Sequence, residues 1–568
     1  MCFFFFFFFF FFFFFFFFFF SIYFYEYNLV FLFEWVFFFF NSLNFSCIFL
    51  VDWISLMFMS FVFLISGSVL LYSLGYMCGD LMIIRFFFLV FLFVLSMMFF
   101  ILMPDFICLL LGWDGLGLVS YCLVIYYQNS VSISSGLVTV LMNRLGDVSL
   151  ILGLAWFFNY GSFHFLFYMD FFDYDFFFVV YFVLFASFTS SAQFPFCVWL
   201  PAAMSAPTPV SSLVHSSTLV TSGVYLIIRF NFFVFNCDTF YLMIFSLITM
   251  FISGLSACVE NDLSKIIAFS TLSQLGFMFF VLSCGSVTLC FLHLLIHAVF
   301  KSLLFLCSGF FIHCFLGNQD IRFMGGLIIQ SPFVSTCFFI ALMCLCGIPF
   351  FSGFYSSDFI LEMVILENVN YFVFFFFFFS VSLTLVYSIR LTYYLFFSDS
   401  FFFCFISFIY VDCMNFSLVL LFTFSLLSGS FLFWFFEDCY VFVIDCNLKL
   451  MPSLIVFFFF FFFFFFFFHI LENFFFFLNT YFFGFFSSMW FMNYFSSGFL
   501  LGRFFFFSNF FYELFDFGWF EYFISFGLLG FLNWIGYFLD KFVLNSFKIY
   551  LLSFFFFFFF YLFIIFNI

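Results

Sequence analysis

The architecture of this chain is set by the stretch LPAAMSAPTPVSSLVHSSTLVTSGVYLIIRF at residues 200–230. Its prolines Pro201, Pro207 and Pro209, together with Pro195 before them, interrupt an apolar helix predicted at residues 176–203, in and after its second half. Proline lacks a backbone N–H and leaves a carbonyl without a partner. In lipid, such a break is tolerated only where the backbone faces protein or a water-filled cavity. A second interrupted stretch, GIPFFSG at residues 347–353, lies five predicted helices later. Two breaks with this spacing predict a transporter built from inverted repeats, with an ion path near the middle of the membrane.

The composition places the rest of the chain in a membrane as well. Of its 568 residues, 68% are hydrophobic and only 7% are charged, and the mean hydropathy is +1.36. A soluble domain carries about 25% charged residues, which help to cover its surface. Because a transmembrane helix needs roughly 20 apolar residues, the length allows about 14–16 spans. We therefore predict an all-α polytopic membrane bundle.

Three zones differ in the texture of their sequence. Residues 1–83 are rich in phenylalanine and are predicted to form helices, the first at residues 1–25. The middle zone carries Gly, Ser, Thr, Pro and charges inside apolar spans, and it divides into two groups of five helices at residues 84–230 and 239–397. Residues 398–568 return to phenylalanine-rich runs. The ten predicted helices of the middle zone cover residues 84–103, 104–127, 135–158, 176–203, 208–230, 239–258, 263–282, 287–314, 331–362 and 370–397.

Ionisable residues inside the predicted spans are the strongest functional signal. Each costs roughly 2.5–3.5 kcal/mol at the centre of a bilayer unless it meets a partner or water. Arg144 and Asp147 stand three residues apart and share a helix face, so they are equally consistent with a purely structural ion pair. The residues within or close to spans are Asp114, Arg144, Asp147, Lys265 and Lys301.

A second signal is the stripe formed by His293, His297 and Lys301, whose spacing of four puts them on one helix face. Two histidines at this spacing can bind zinc, but no glutamate follows the first one as in HExxH, and a lysine stands one turn further on. Groups that gain and lose protons inside an apolar helix instead indicate a proton relay. His215 lies among serines and threonines, and is either structural or part of a hydrated face.

Several other functions are disfavoured by charge and by motif content. The formal charge of −16, from 27 acidic and 11 basic residues, is opposite to the basic stripes that bind nucleic acid. The 19 cysteines include no CxxC pair, so neither zinc nor iron–sulfur ligation is predicted. The sequence has no GxGxxG or P-loop motif. We therefore expect no metal, no cofactor and no electron transfer in this chain.

Seven motifs, in register over roughly residues 100–395, make the chain recognisable. In order, they closely resemble the antiporter-like subunits of mitochondrial respiratory complex I, the NADH–ubiquinone oxidoreductase. The motifs are WDGLGLVSY (113–121), NRLGDVSLILGLAWF (143–157), the opening stretch (200–230), NDLSKIIAFSTLSQLGFM (261–278), HLLIHAVFKSLLFLCSG (293–309), NQDIRFMGGL (318–327) and GIPFFSGFYSSD (347–358).

The resemblance implies a core proton-translocating subunit at the distal end of the membrane arm, in the inner mitochondrial membrane. The 147 phenylalanines fit a thymine-rich organellar gene. The family also implies two inverted five-helix repeats, a lateral amphipathic helix at about residues 509–547 and a final anchor at residues 549–566. Its partners are the neighbouring antiporter-like subunit, accessory subunits and lipids. NADH, FMN, iron–sulfur clusters and ubiquinone are then bound by partner subunits, so the enzymatic label belongs to the translocase as an assembly.

When the family's motifs are matched to this sequence, the resemblance implies six proton-pathway residues here. Two lysines of the family have no counterpart in this chain. The missing lysines correspond to Ser190 in the segment TSSAQ and to Ser357, which precedes Asp358. With no cation nearby, we expect Asp114 to be harder to ionise. The pathway residues are Asp114, His215, Lys265, His293, His297 and Lys301. The supporting residues are Arg144, Asp147, Ser190, Ser357 and Asp358.

Three interpretations of the missing lysines stay open at this point: a base from another helix fills each gap, hydrated serines carry protons through water, or the channel is impaired. Two functions compete with proton pumping. One is a structural subunit of the distal arm with a degenerate channel, and the other is a cation/proton antiporter subunit of the Mrp type. The simplest observation that distinguishes these functions is whether a lysine or arginine from another helix lies beside Ser190.

Overall fold

The computed structural model divides into two compact units, Met1–Asn493 and Tyr494–Ile568, each described by itself. Thirteen helices in the described residues are long and apolar enough to cross a membrane, which confirms the all-α polytopic prediction. The structure describes residues 2–40, 43–161, 163–164, 176–367, 370–399, 412–436, 444–473, 484–492, 494–495, 498, 501–543 and 547–567.

The first 83 residues contain two strands as well as helices, so the prediction of helices alone is wrong there. Helix α1 covers Cys2–Glu26, as expected from the phenylalanine run. Strand β1 (Phe31–Phe40) then pairs antiparallel with β2 (Leu43–Val51), and α2 follows at Trp53–Tyr76. Aromatic and β-branched residues favour strands, and a run of nearly identical apolar residues has no period that separates strand from helix.

The middle zone follows its predicted helix bounds within a few residues at most ends. The long helices are α3 Ile83–Leu102, α4 Phe106–Val124, α5 Ser130–Phe157, α6 Phe176–Ser190, α7 Thr208–Arg229, α8 Phe240–Val259, α9 Leu263–Ser283, α10 Val287–Cys314, α11 Pro332–Cys346, α12 Ser352–Leu366, α13 Tyr371–Phe397 and α14 Asp412–Phe436. Helix α10 lies at the centre, where it is buried almost throughout and packs against α2, α7, α9, α11, α12 and α14. Short helical turns lie at Phe158–Tyr160, Trp199–Ala202, Ala203–Ser205, Asn231–Phe235 and Leu327–Gln330.

Both predicted helix breaks are present. The first separates α6 from the turn that begins at Trp199, and the second separates α11 from α12. Gly347 ends α11 with a φ of +68°, a left-handed conformation that glycine adopts without strain. A Cβ at Gly353 would overlap the Cys344 carbonyl oxygen, so the two half-helices approach at a distance that only glycine permits.

The C-terminal zone adds α15 (Cys446–Asn473) to the first unit. The second unit contains α16, a helix over residues 501–543 that is π-helical at Tyr512–Gly527, and α17 (Phe547–Asn567). At about 1.5 Å per residue, α16 is roughly twice as long as the 30 Å hydrocarbon core of a bilayer. It contains most of the segment predicted as a lateral helix and begins before it.

A buried ion pair fastens the N-terminal zone to the end of α7. Arg229 donates two hydrogen bonds to the Asp52 carboxylate at 2.5 and 2.8 Å, and a third to the Tyr225 hydroxyl. Asp52 also caps α2 by accepting from the Ser55 backbone N–H. Burial by itself would raise the pKa of Asp52, but attraction and hydrogen bonds from Arg229 outweigh it and leave the pKa below its ordinary value.

We predict that Asp52→Asn lowers the free energy of unfolding by about 3–5 kcal/mol, because it leaves the buried Arg229 without its counter-charge. Thermal unfolding of the detergent-purified protein measures the loss. Asp80→Asn, in the turn after α2, is the matched control and should change stability by less than about 0.5 kcal/mol. Equal stability of the two variants would contradict the role given to this pair.

Candidate functional site

The stripe predicted from the sequence lies on α10 in the centre of the first unit. His293, His297 and Lys301 have exposed fractions of 2%, 0% and 0%. The Lys301 ammonium donates to the Ser270 hydroxyl of α9 at 2.6 Å. The ring centroids of the two histidines are 6.3 Å apart. The three groups therefore form one titratable column inside the bundle, and few polar groups contact it.

Two histidines lack the partners that buried polar groups normally have. Neither ring nitrogen of His297 or of His215 meets a hydrogen-bond partner among the described residues. His215 lies in the π-helical part of α7, Ser211–Thr218, with its ring 6.1 Å from that of Trp199. A buried polar group without a hydrogen bond costs roughly 1–3 kcal/mol. Such a group destabilises the core unless a bound water molecule forms the missing hydrogen bond.

His293 connects the column to the second helix break. One ring nitrogen, Nδ1, lies 2.9 Å from the Ser356 hydroxyl on α12, and the other, Nε2, lies 3.1 Å from the Gln274 amide oxygen on α9. A cavity of about 320 Å³ opens beside it. Its polar walls include Gln274, His293, Ser357 and Asp358. A volume of this size has room for several water molecules.

The first half of the fold places its charges differently. On α5, Arg144 lies 2.8 Å from the Asp147 carboxylate and 3.4 Å from Asp114 of α4. The Trp113 indole N–H donates to Asp147 at 2.8 Å. The expectation that Asp114 has no cation nearby is therefore wrong, because Arg144 reaches across from the next helix. Arg144 also pairs with Asp147, as the i,i+3 spacing predicted.

This charged cluster lies on the outer face of the chain, in the middle of two spans. The side chains of Asp114 and Arg144 are 44% and 41% exposed, whereas Asp147 is buried. Charges in the middle of a span cannot remain in contact with lipid tails without a large cost. The face formed by Asp114 and Arg144 therefore requires another polar surface against it.

Ser190 lies at the end of α6, and its hydroxyl donates to the Ser187 carbonyl at 3.2 Å. Among the described residues, no lysine or arginine forms a hydrogen bond with it. A Cβ at Gly223 would lie 2.6 Å from the Ser190 hydroxyl oxygen, so α7 packs closely against this position. Little free space therefore separates Ser190 from the backbone of α7 at Gly223.

Lys265 lies apart from the buried column. It begins α9 and forms an ion pair with Asp262 at 2.6 Å, and its side chain is 42% exposed. The backbone N–H of Leu263 donates to the Gln319 carbonyl, which brings the NQDIR segment onto the start of this helix. The NDLSK and NQDIR motifs thus meet at one end of α9.

Two polar residues of α9 that contact the column were missed from the sequence, and so was an ion pair between α12 and α15. Ser270 and Gln274 stand four residues apart on α9, and that spacing of polar residues in an apolar helix was the available signal. Glu362 of α12 and Lys449 of α15 form an ion pair at 3.7 Å. Lys449 lies in the phenylalanine-rich zone, and no pattern in that zone indicated a contact with α12.

Comparison with known proteins agrees with this geometry. Residues 103–384 match the family model "NADH:quinone oxidoreductase/Mrp antiporter, TM". Residues 35–87 match "NADH-Ubiquinone oxidoreductase (complex I), chain 5 N-terminus", and residues 387–565 match "NADH dehydrogenase subunit 5 C-terminus". The broken helices and the buried titratable column thus define a membrane protein of the antiporter-like class.

Individual relatives narrow the assignment. The chain is 44% identical over 504 residues to NADH-ubiquinone oxidoreductase chain 5 of Locusta migratoria, covering 87% of this chain and 88% of that one. The protein of the same name from Aedes aegypti is 48% identical over 447 residues, covering 76% of each. The chain belongs to the NADH-ubiquinone oxidoreductase chain 5 family.

A solved structure supports the fold. The Mrp complex from Dietzia sp. DQ12-45-1b matches with a TM-score of 0.66 at 22% sequence identity. The match covers 75% of this chain and 50% of the other. At this identity the likeness shows the shared fold alone.

We predict that Arg144→Gln lowers the stability of the protein by about 1–3 kcal/mol, because it leaves two carboxylates facing each other; partial exposure limits the loss. Thermal unfolding of the purified protein measures it. Adding Asp147→Asn should restore part of the stability, since one unpaired carboxylate is removed. Arg85→Gln, at the exposed start of α3, is the control. An Arg144 variant as stable as this control would contradict the proposed ion-pair cluster.

Proposed function

We propose that this chain is a core proton-translocating subunit of the membrane arm of respiratory complex I. Its membership of the chain 5 family and its antiporter-type domain support this function. The translocase activity belongs to the assembly. NADH oxidation and ubiquinone reduction, with the NADH, FMN, iron–sulfur and ubiquinone sites, are then tasks of partner subunits. The mitochondrial inner membrane is the compartment that fits both the family and the thirteen candidate spans.

The observation that carries the proposal is the fully buried pair of His297 and Lys301 in the middle of α10. We assign the proton pathway to the column formed with His293, which leads to the cavity at the second helix break. His215 lies on α7, which packs against α10 and extends the pathway toward the first half. Lys265 stands at the membrane-surface end of α9, as an acceptor at the start of the route.

The direction of proton transport is set by changes in the proton affinity of this column during each turnover of the assembly. Moving one charge against 150 mV costs roughly 3.5 kcal/mol. A change of two to three units in the pKa of one group supplies a comparable free energy. Opening the column alternately to each side would convert that change into transport, and the two helix breaks are the segments whose backbone allows it.

The exposed charges of the first half indicate where a neighbour binds. Asp114 and Arg144 lie in mid-span on the outer face, with Asp147 behind them. We propose that the neighbouring antiporter-like subunit covers this face, while accessory subunits and lipids cover the remaining apolar surface. Protonation changes in that neighbour would then reach this chain through the Asp114–Arg144 pair.

We further propose that residues 84–230 and 239–397 act as the two halves of the transporter. The broken helices occupy corresponding positions in these halves, which supports the division. Residues 1–83 and 398–568 flank these halves in the sequence, and α16 is the candidate for the lateral helix because its length exceeds one bilayer crossing.

A structural role with a degenerate channel is the second candidate. Ser190 favours it, since no cation in the described residues takes the place of the family lysine there. The retained buried column of the second half argues against degeneration of the whole subunit. An Mrp-type antiporter function is the less favoured alternative, because the chain also matches the chain 5 models at both ends.

We predict that Lys301→Met lowers the number of protons translocated per NADH oxidised while the complex still assembles. Methionine has similar length and no titratable group, so packing is retained and proton binding is lost. Proton uptake by vesicles containing the reconstituted complex measures the ratio. Lys548→Met, at the exposed start of α17, is the control. An unchanged ratio with normal assembly would favour the structural role instead.

A further inference from the structure

At the second helix break, Ser357 stands where the family has a lysine. The acidic residues around Ser357 are nevertheless groups with which a base would pair. Ser357 and Asp358 line the 320 Å³ cavity together with His293. The next acidic residue on the same helix, Glu362, is only 5% exposed. Two carboxylates in a largely apolar environment require a counter-charge to stay ionised.

A lysine from a distant part of the chain supplies that charge. Lys449, near the start of α15, places its ammonium 3.7 Å from the Glu362 carboxylate. Its side chain is 63% exposed, whereas that of Glu362 is 7% exposed. The pair thus joins a group in the protein interior to a group that reaches the outside of the chain.

Helix periodicity connects this ion pair to the cavity. Asp358 and Glu362 stand four residues apart on α12, so both lie on one helix face. Lys449 and Ser453 have the same spacing on α15, and Ser453 lines the cavity. The cavity lining includes His293, Asp358 and Ser453. Glu362 and Lys449 are not part of that lining, but each stands one helical turn from a residue that is, so the ion pair lies beside the cavity.

We propose that Lys449 is a proton-transferring base at the outer mouth of this cavity, held in place by Glu362, and that it performs the task of the lysine missing at Ser357. This inference rests on the proposed function, because it extends the same pathway from His293 to the outside of the chain.

The proton transfer balances without any further reactant. The Lys449 ammonium releases its proton to water outside the protein, breaking an N–H bond. The neutral amine then accepts a proton that leaves the Asp358 carboxyl group through cavity water, and the ammonium is restored. The column at His293, which lines the same cavity, returns a proton to the Asp358 carboxylate, so one proton crosses in each cycle. Glu362 stabilises the charged form and sets the position of Nζ, so it acts as a positioning residue.

Arginine separates this role from a purely structural ion pair. Lys449→Arg keeps the positive charge beside Glu362, but a guanidinium does not release its proton in a protein. We expect this variant to assemble normally and to lose as much proton translocation per NADH as Lys301→Met does. Lys449→Gln should show the same transport loss, and Lys548→Gln is the control with normal transport. Normal transport in the Lys449→Arg variant would overturn the proposal.

Restoring a base from the other side of the cavity provides the second test. Ser357→Lys places an ammonium beside Asp358, so it should recover proton translocation when combined with Lys449→Gln. Failure to recover, in a complex that assembles, counts against the proposal. If Lys301→Met reduces transport and the Lys449 variants do not, only this inference fails. If Lys301→Met also leaves transport unchanged, the proposed function itself is wrong.

Discussion

The whole arrangement depends on one constraint: an ionisable group inside a bilayer must meet a counter-charge, a hydrogen bond or water. This chain has few charges, and several of them lie in the middle of apolar helices. Lys301 meets a single hydroxyl from α9, and His297 has no hydrogen-bond partner within the described parts of the chain. Such groups are maintained at a cost in stability, which a purely structural helix would not need.

The two halves of the fold satisfy that constraint in different ways. In the first half, Arg144 pairs with both Asp114 and Asp147, and the exposed part of this cluster leaves an incomplete polar surface at the outer face. In the second half, the charges lie in the centre and open into a cavity through His293. The first half is thus suited to contact with another subunit, and the second half to conduction.

Much of this fold follows from the sequence, because its signals are local. Proline and glycine mark the breaks, and a spacing of four residues defines the column on α10. The strands at residues 31–51 were missed, since a run of phenylalanine has no period. The contact of Arg144 with Asp114 joins two consecutive helices, and that of Lys449 with Glu362 joins helices far apart in sequence. No spacing rule predicts such contacts, and they account for the part of the site that required a structure.

Proton transfer along α10 requires that the buried column is hydrated and connected to the cavity at the second break. The most direct measurement of this hydration is an electron cryomicroscopy map of the intact complex that resolves ordered water. We predict water bound to the ring nitrogens of His297 and a chain of water from Lys301 past His293 to Asp358. Apolar side chains filling that space, with both histidine rings dry, would contradict it.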